Sequence, residues 1–291
     1  MRSFRKWISE YTLASKEATN GRLKEVFRGS EELDKYIGEI ESVTVHSIPP
    51  QAGFDIIGRG RRILYAWTNK AEIITNSEGH ELKEDEKAFI DSRCDRFTVG
   101  NKSSNSTSLI VEVCSLPFAE ISYKRIGTRN AKHLPVLREA KETEEVLDCE
   151  LSQITVHNFN AYDFRGNHYH LDDKKALYLV VDGLVHVFER RVDTPSEGFE
   201  IVELLERIKS RDKDFAIYYD TYATGGVFSF DTHDRELRLS HATAAGKKGT
   251  KFIELANVAF DPEYYEDSAE ADILVPPNYN MRKKLIDLLP K

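Results

Sequence analysis

An internal repeat of strand-like segments constrains the fold of this chain more than any other feature. Ile154–His157 reads Ile-Thr-Val-His and repeats the Val-Thr-Val-His of Val43–His46. About twenty residues later each copy has a similar apolar strand, Ile63–Tyr65 in the first and Leu177–Leu179 in the second. Each copy also ends on a similar strand, Leu109–Val113 in the first and Phe252–Ala256 in the second. A repeat of this length indicates two structural units built alike.

Both copies contain short segments of strand character, separated by turns rich in Gly, Asn and Ser. This pattern is typical of a β-sandwich or barrel. We therefore predict an all-β fold of two jelly-roll lobes, with an N-terminal helical segment and a few inserted helices. The predicted divisions are a helical segment over 1–41, a degenerate first lobe over 42–122, a connection over 123–150 and a second lobe over 151–291.

The predicted helices rest on apolar residues at helical spacing. In the N-terminal segment Leu23, Val26 and Phe27 have this spacing. In the second lobe Phe199–Ile208 reads as an inserted helix and Met281–Leu289 as a closing helix.

Composition excludes several classes of function. The chain of 291 residues has a formal net charge of −8, which argues against a general nucleic-acid-binding surface, because that needs a basic face. We find no signal peptide and no stretch near the roughly 20 apolar residues of a membrane span. The three cysteines have no disulfide or metal spacing, which favours a reducing, cytoplasmic location. A homodimer remains open as the assembly.

The candidate site is the stretch Arg165–His170, which reads Arg-Gly-Asn-His-Tyr-His. Side chains of a strand alternate between faces, so His168 and His170 share one face and Tyr169 lies on the other. A bare His pair is more often found on a surface edge strand. The preceding Arg-Gly and the hairpin that follows favour a metal or proton-transfer site instead. In that hairpin Asp182-Gly183 is the predicted tight turn between two buried strands.

These segments resemble the cupin superfamily in its two-lobe, or bicupin, arrangement. The resemblance rests on Arg165–His170, on Leu177–Gly183 and on Glu254–Pro262, which reads Glu-Leu-Ala-Asn-Val-Ala-Phe-Asp-Pro. Within the superfamily they are most similar to the cupin domains of nucleotide-sugar enzymes that make capsular polysaccharide and O-antigen. The similarity covers roughly Leu151 to Tyr265, and the first lobe shares only the fold pattern.

The resemblance implies a metal site in the second lobe. Metal-binding cupins supply a His pair, a Glu shortly after it and a third His from a later strand; His168, His170 and His241 match the histidines. Such a set favours zinc, which accepts nitrogen ligands and a water. The alternative for His241 is a partly buried, hydrogen-bonded histidine. The Glu itself is absent, and its place falls at Lys175 or Ala176, where a lysine would repel a cation. Asp172 or Asp173 is the substitute ligand.

The resemblance further implies an epimerase or ketoisomerase acting on a nucleotide sugar. Such chemistry moves a proton next to a ketone, and it needs a base near neutral pKa, an acid and a group that stabilises the enolate. His168 or His170 would be the base, and Tyr178 or Tyr169 the acid. The predicted substrate-binding residues are cationic or amide side chains close to the His pair in the sequence, namely Arg165, Asn167 and Lys175.

Two other functions compete with this one. A non-catalytic sugar- or metabolite-binding cupin with a regulatory or scaffold role is favoured by the absent Glu and by a first lobe without a His pair. A metal-dependent dioxygenase ranks last, because it needs iron and usually the full set of three His and one Glu ligands. In the first lobe, Arg59, Arg61 and Arg62 are interpreted as a solvated turn or a subunit contact, with phosphate binding as the alternative.

Overall fold

The computed structural model describes residues 23–29, 35–75, 78–147, 151–168, 174–191, 217–231, 239–257 and 279–289. The chain divides between Leu151 and Ser152 into two units. The first lobe runs from Val26 to Leu151, and the second lobe consists of the residues from Ser152 onward with the short stretch before Val26. Apart from the pairing of the first strand, Leu23–Arg28, all strand pairs within these ranges are antiparallel.

The first lobe is a sandwich of two five-stranded sheets, ordered β11-β2-β9-β4-β7 and β10-β3-β8-β5-β6. Its strands are β2 (Ser42–Ile48), β3 (Ala52–Ile57), β4 (Arg62–Thr68), β5 (Ala71–Thr75), β6 (Glu78–Leu82), β7 (Lys87–Ile90), β8 (Arg96–Asn101), β9 (Ser108–Cys114), β10 (Ser122–Ile126) and β11 (Lys132–Leu137). A 3-10 helix (Phe118–Glu120) and α1 (Ala140–Leu147) complete it. Consecutive strands β2 and β3, β4 and β5, and β8 and β9 lie in different sheets, which is the connectivity of a jelly roll.

The second lobe repeats this connectivity with longer strands. Its elements are β12 (Gln153–Phe159), β13 (Phe164–His168), β14 (Lys175–Arg191), β15 (Ile217–Ala223), β16 (Val227–Asp231), β17 (Leu239–Ala256) and α2 (Tyr279–Leu288). Strand β1 (Leu23–Arg28) is the neighbour of β12 in the same sheet, and the boundary between the two units at Val26 falls within it. The first half of β14 pairs with β16 and its second half with β15, just as β4 pairs with β7 and β5 with β6. The prediction of an all-β fold with two jelly-roll lobes is therefore confirmed.

The predicted hairpin at Asp182-Gly183 is wrong. β14 continues through both residues, and its register with β17 shifts on each side of Gly183, which has a φ of +87°. The dipeptide does bend the chain, as its composition suggests. The next segment then pairs with β15 and with the other half of β17 and does not fold back on the strand before it.

The helical prediction for Leu23, Val26 and Phe27 is also wrong, because these residues lie in β1, the neighbour of β12. The predicted connection over 123–150 contributes β10, β11 and α1 to the first lobe. The predicted closing helix corresponds to α2. Phe199–Ile208, like the residues before Leu23, lies outside the described residues. No helix in the described ranges has the length and apolar character to cross a membrane.

Two glycines with similar backbone angles provide a test of the bend in β14. Gly183 and Gly225 have φ of +87° and +86°, but a Cβ at Gly183 would collide with the carbonyl oxygen of Gly249, whereas one at Gly225 meets nothing within 4 Å. We expect Gly225→Ala to cost about 1 to 2 kcal/mol of unfolding free energy and Gly183→Ala about 3 kcal/mol or more. Urea unfolding of both variants checks this, and equal losses would refute the close crossing.

Candidate functional site

A glutamate lies inside the barrel of the second lobe. Glu254 on β17 is 4% exposed and lies opposite Thr155 of β12 and Tyr178 of β14. Tyr178 belongs to the apolar core, where its ring stacks on Phe228 with the centroids 4.7 Å apart. Residues directly opposite on antiparallel strands face the same side of the sheet, so Glu254 shares this interior. A carboxylate in such surroundings has to be paired.

Three buried side chains bind the carboxylate of Glu254. His157 Nε2 lies 2.8 Å from Oε2, Arg165 Nη1 lies 3.3 Å from the same oxygen, and Lys174 Nζ lies 2.8 Å from Oε1. Two cations and one imidazole thus surround a single carboxylate. We call Glu254, His157, Arg165, Lys174 and Tyr178 the interior network.

Burial and pairing move the pKa values of the interior network away from neutral pH. Burial alone would raise the pKa of Glu254, but the charge of Lys174 and the hydrogen bond from His157 outweigh it and hold this pKa well below its usual value. Burial lowers the pKa of His157 to about 4, so the ring is neutral at pH 7 and donates its Nε2–H to the carboxylate. Burial, then the charge of Glu254, raises the pKa of Tyr178 well above its usual value. These three groups are therefore poorly matched to proton transfer near pH 7.

The first lobe buries a corresponding glutamate. Glu112 on β9 accepts hydrogen bonds from His46 Nε2 at 2.9 Å and from Arg62 Nε at 2.7 Å. A third bond of 2.8 Å comes from the hydroxyl of Tyr123. In each lobe the glutamate lies opposite the threonine of the repeated Thr-Val-His segment, and the histidine of that segment binds it. The repeat in the sequence therefore encodes the same His–Glu pair twice.

The glutamate of the first lobe is enclosed by the lobe's own side chains. His46 Nε2 faces Glu112, and its Nδ1 lies 2.9 Å from His133 Nδ1, so a hydrogen bond joins the two rings. Tyr123 stacks on His133 with ring centroids 4.4 Å apart. Arg62 adds bonds from Nη1 to two backbone carbonyl oxygens, at 2.9 Å and 2.8 Å. These contacts support a structural role for Glu112 and the side chains around it.

Arg62 corrects the interpretation of the arginine cluster. Arg59 is 79% exposed beside Asp95, and Arg61 donates from the surface to the carbonyl oxygens of residues 35 and 36. Arg62 is 0% exposed and pairs with Glu112. The prediction of a solvated turn therefore fails for this one arginine, because its strand β4 directs it into the barrel.

The second lobe adds two polar groups to the arrangement of the first. Tyr178 lies opposite its glutamate, where the first lobe has Leu64. Four residues before each of these stand Lys174 and Gly60. A Cβ at Gly60 would lie 2.7 Å from Leu116 Cγ, so the first lobe has no room for a side chain there. The extra cation, and a tyrosine on the strand next to the glutamate where the first lobe has a leucine, thus distinguish the second barrel.

Of the predicted site residues, Arg165 and Tyr178 come together in the interior network, and Lys175 does not. Lys175 is half-buried, and its backbone N–H donates to Asn257 Oδ1 over 2.7 Å. Lys174, the residue before β14, is buried instead, and extending the alternation of the strand by one residue puts it on the same side as Tyr178. The strand period could have identified Lys174 once Tyr178 was assigned to the core.

Of the three predicted histidines, His168 and His241 lie within the described residues and His170 does not. His168 of β13 and His241 of β17 are directly opposite each other in the register, so the two strands do bring these positions together. Their side chains and that of Asn167 are not described, and His170, Tyr169, Asp172 and Asp173 lie outside the described residues. The catalytic and substrate-binding roles of these residues stay predictions.

The described residues do not fit a metal site. They contain no group of three or more His, Cys, Asp or Glu side chains able to hold a metal ion. The buried ammonium of Lys174, bound to Glu254, would moreover repel a divalent cation placed beside that carboxylate. Zinc at His168, His170 and His241 therefore stays a prediction.

A pocket of about 260 Å³ adjoins the core of the second lobe. Its lining consists of aromatic, aliphatic and polar side chains, namely Val187, Tyr219, Asp220, Tyr222, Phe228, Ser229 and Phe230. Phe228 and Phe230 also contact Tyr178, with ring centroids 4.7 Å and 5.3 Å away, so one aromatic layer separates the pocket from the interior network. Opposite Val187 lies Thr243, 3% exposed, whose Oγ1 has no hydrogen-bond partner in the described part of the chain.

Sequence reasoning missed His157, Glu254, Lys174 and this pocket. The signal for the first two was present, since both copies of the repeat carry a histidine and a glutamate within otherwise apolar strands. The pocket had no signal in the sequence, because its residues come from β14, β15 and β16, and their pairing is not local.

Comparisons with known proteins give similarity of overall fold alone. Among solved structures, vicilin from hazelnut (Corylus avellana) is 9% identical over 74% of this chain and 75% of that chain, with a TM-score of 0.42. Bacterial pirin YhhW in complex with nickel(II) from Escherichia coli is 9% identical over 80% and 90%, with a TM-score of 0.36. A cupin 2 conserved barrel domain protein from Leptotrichia buccalis is 12% identical over 74% and 83%, with a TM-score of 0.29. No protein-family model and no curated protein sequence matches the chain. The fold assignment therefore rests on the strand order described above.

The lowered pKa of His157 predicts how stability depends on pH. Below pH 6.5 the unfolded chain takes up a proton at this ring, and the folded protein does so only near pH 4. The stability is therefore complete above pH 6.5 and falls as the pH is lowered toward 4, by roughly 1 to 3 kcal/mol from this group. The lowered pKa of Glu254 acts in the same direction, but only below pH 4.5.

Unfolding free energies measured from pH 7 to pH 4.5 test this assignment. We expect His157→Gln to reduce the pH dependence, part of which remains because burial also lowers the pKa values of His133 and His186 to about 4. The exposed control His80→Gln should leave the pH dependence unchanged. If the wild type and His157→Gln share one slope, the ring is not held neutral in the fold.

Proposed function

We propose that this protein is a sugar-binding bicupin whose second lobe holds the ligand and whose first lobe is structural. The observation that carries the proposal is the pocket of about 260 Å³ beside the core of the second lobe, lined by aromatic rings and one carboxylate, Asp220. Aromatic faces pack against the C–H faces of a sugar ring, and a carboxylate accepts hydrogen bonds from its hydroxyls. The first lobe has its glutamate enclosed by His46, Arg62 and Tyr123, which supports a structural part.

The volume and surroundings of the pocket suggest how the ligand binds. Sites for drug-sized ligands begin at about 300 Å³, so this pocket suits one sugar ring. Thr243 lies opposite the lining residue Val187, and we expect its buried hydroxyl, which has no hydrogen-bond partner in the described part of the chain, to bond to a polar group of the ligand. The resemblance in the sequence adds that the sugar is linked to a nucleotide. The pKa values of the interior network favour binding over proton transfer.

Asp220→Asn should weaken sugar binding roughly tenfold, because it removes a charged acceptor while keeping the shape of the side chain. Calorimetry with UDP- and dTDP-linked sugars, with UDP and free monosaccharides as separate arms, measures this. The matched control is Asp182→Asn, a carboxylate of the same lobe that is 70% exposed and does not line the pocket. If no sugar binds, or if the two variants bind alike, the proposal fails.

A nucleotide-sugar epimerase or ketoisomerase is the second candidate, supported by the pairing of His168 with His241 across β13 and β17. Such an enzyme would exchange a carbon-bound proton of a keto-sugar with solvent deuterium. His168→Ala and His170→Ala would then reduce turnover about 10² to 10⁴-fold. Tight binding without any deuterium incorporation leaves the binding function standing and excludes the enzymatic one.

A further inference from the structure

A second, larger pocket lies on the other face of β14. It has a volume of about 410 Å³ and is lined by residues of β14, β15, β17 and the closing helix α2. Leu184 and His186 line it, whereas their neighbours Val185 and Val187 belong to the barrel core. Because side chains alternate along a strand, this pocket is separate from the proposed sugar pocket. No residue lines both pockets.

A basic bulge forms one side of this pocket. In the ladder between β14 and β17, Gly183 pairs with Thr250 and Val185 with Ala245, so the residues 246–249 leave the ladder. They read Gly-Lys-Lys-Gly. Gly249 has a φ of +78°, and a Cβ there would lie 2.5 Å from the carbonyl oxygen of residue 159, so the bulge needs glycine at this point. The bulge therefore holds two lysines beside the pocket.

The two lysines differ in their partners. Lys247 Nζ lies 3.1 Å from Asp287 Oδ1 of α2, so its charge is paired and the helix is tied to the bulge. Lys248 is exposed, lines the pocket and makes no ion pair within the described part of the chain. The rim therefore presents one cation to a ligand.

The wall of the pocket contains a buried histidine. His186 is 4% exposed, and its Nδ1 lies 2.8 Å from the hydroxyl of Tyr219, which leaves Nε2 as the ring nitrogen for a ligand. Burial lowers the pKa of His186 to about 4, so the ring is a neutral hydrogen-bonding group at pH 7. Leu184, Ile286 and Leu289 supply apolar surface next to it.

We propose that this pocket binds a small amphiphilic anion, with a carboxylate or phosphate head at Lys248 and His186 and an apolar body against Leu184, Ile286 and Leu289. The ammonium gives a charge-assisted bond to the head, and the imidazole donates Nε2–H when Tyr219 O–H donates to Nδ1. The apolar residues bury the body of the ligand. The two pockets have no lining residue in common, but Tyr219 joins them, because it lines the sugar pocket and its hydroxyl is bonded to His186.

Titration of the full chain with octanoate, octyl phosphate and the uncharged octanol, followed by ligand-observed NMR, tests the proposal. Octanoate or octyl phosphate should bind at least about tenfold more tightly than octanol, since the head pairs with a cation. The comparison of the two anions tells which head the site prefers. The affinity for the anions should fall as salt is raised.

Charge variants on the surface locate the site. Lys248→Ala should weaken binding of the preferred anion roughly threefold to tenfold and Lys248→Glu more strongly. The matched controls are Lys283→Ala and Lys283→Glu, on the exposed face of α2 and outside the lining, which should leave it unchanged. Octanol binding as tightly as the anions, an absence of anion binding at millimolar concentration, or equal effects at Lys248 and Lys283 would each overturn the proposal.

Discussion

A carboxylate sealed inside a β-barrel has to be paired, and both lobes of this protein are built around such a pairing. Desolvation of an isolated carboxylate costs far more than the whole stability of a domain, so partners have to be present in the fold. Glu112 and Glu254 meet this need in the same way, with a histidine from the neighbouring strand and an arginine from a third element. The strand order that brings these groups together is thereby favoured over alternatives that would leave a charge unpaired.

The two lobes diverge in what surrounds this common pair. In the first lobe Tyr123 and His133 close the interior, and Gly60 leaves no space for a further cation. In the second lobe Lys174 and Tyr178 enter instead, and the aromatic layer against Tyr178 borders an open pocket. The proposed division, with a structural first barrel and a ligand in the second, rests on this difference.

Much of the fold could be predicted from the sequence, because the repeat reflects strand periodicity, which is a local property. Strand β3 is harder to predict, because a charged residue, Asp55, interrupts its apolar residues. In the fold this Asp is buried, with Arg96 Nη2 at 2.5 Å and Thr98 Oγ1 at 2.7 Å. The bend at Gly183 was recognised, but its outcome depends on which strands pair next, and those lie some forty to seventy residues away in the sequence.

The candidate site was less predictable than the fold. Arg165 and Tyr178 were identified through a family resemblance, yet the carboxylate that binds them was read as part of an apolar strand. Strand alternation decides which of Lys174 and Lys175 faces the interior, once Tyr178 is known to face it. The two pockets depend on side chains from three or more elements, and no local pattern in the sequence reports such an assembly.

A double-mutant cycle between Glu254 and Lys174 tests the central claim most directly. Its readout is the unfolding free energy of the second lobe, from hydrogen exchange in β12 and β17. Glu254→Gln alone should cost about 3 to 5 kcal/mol, because it removes the negative charge that Lys174 and Arg165 share inside the barrel. Adding Lys174→Met should recover a large part of this loss, with a coupling of at least about 1 kcal/mol. If Glu254→Gln is neutral, or if the two losses simply add, the carboxylate does not hold the barrel together as described.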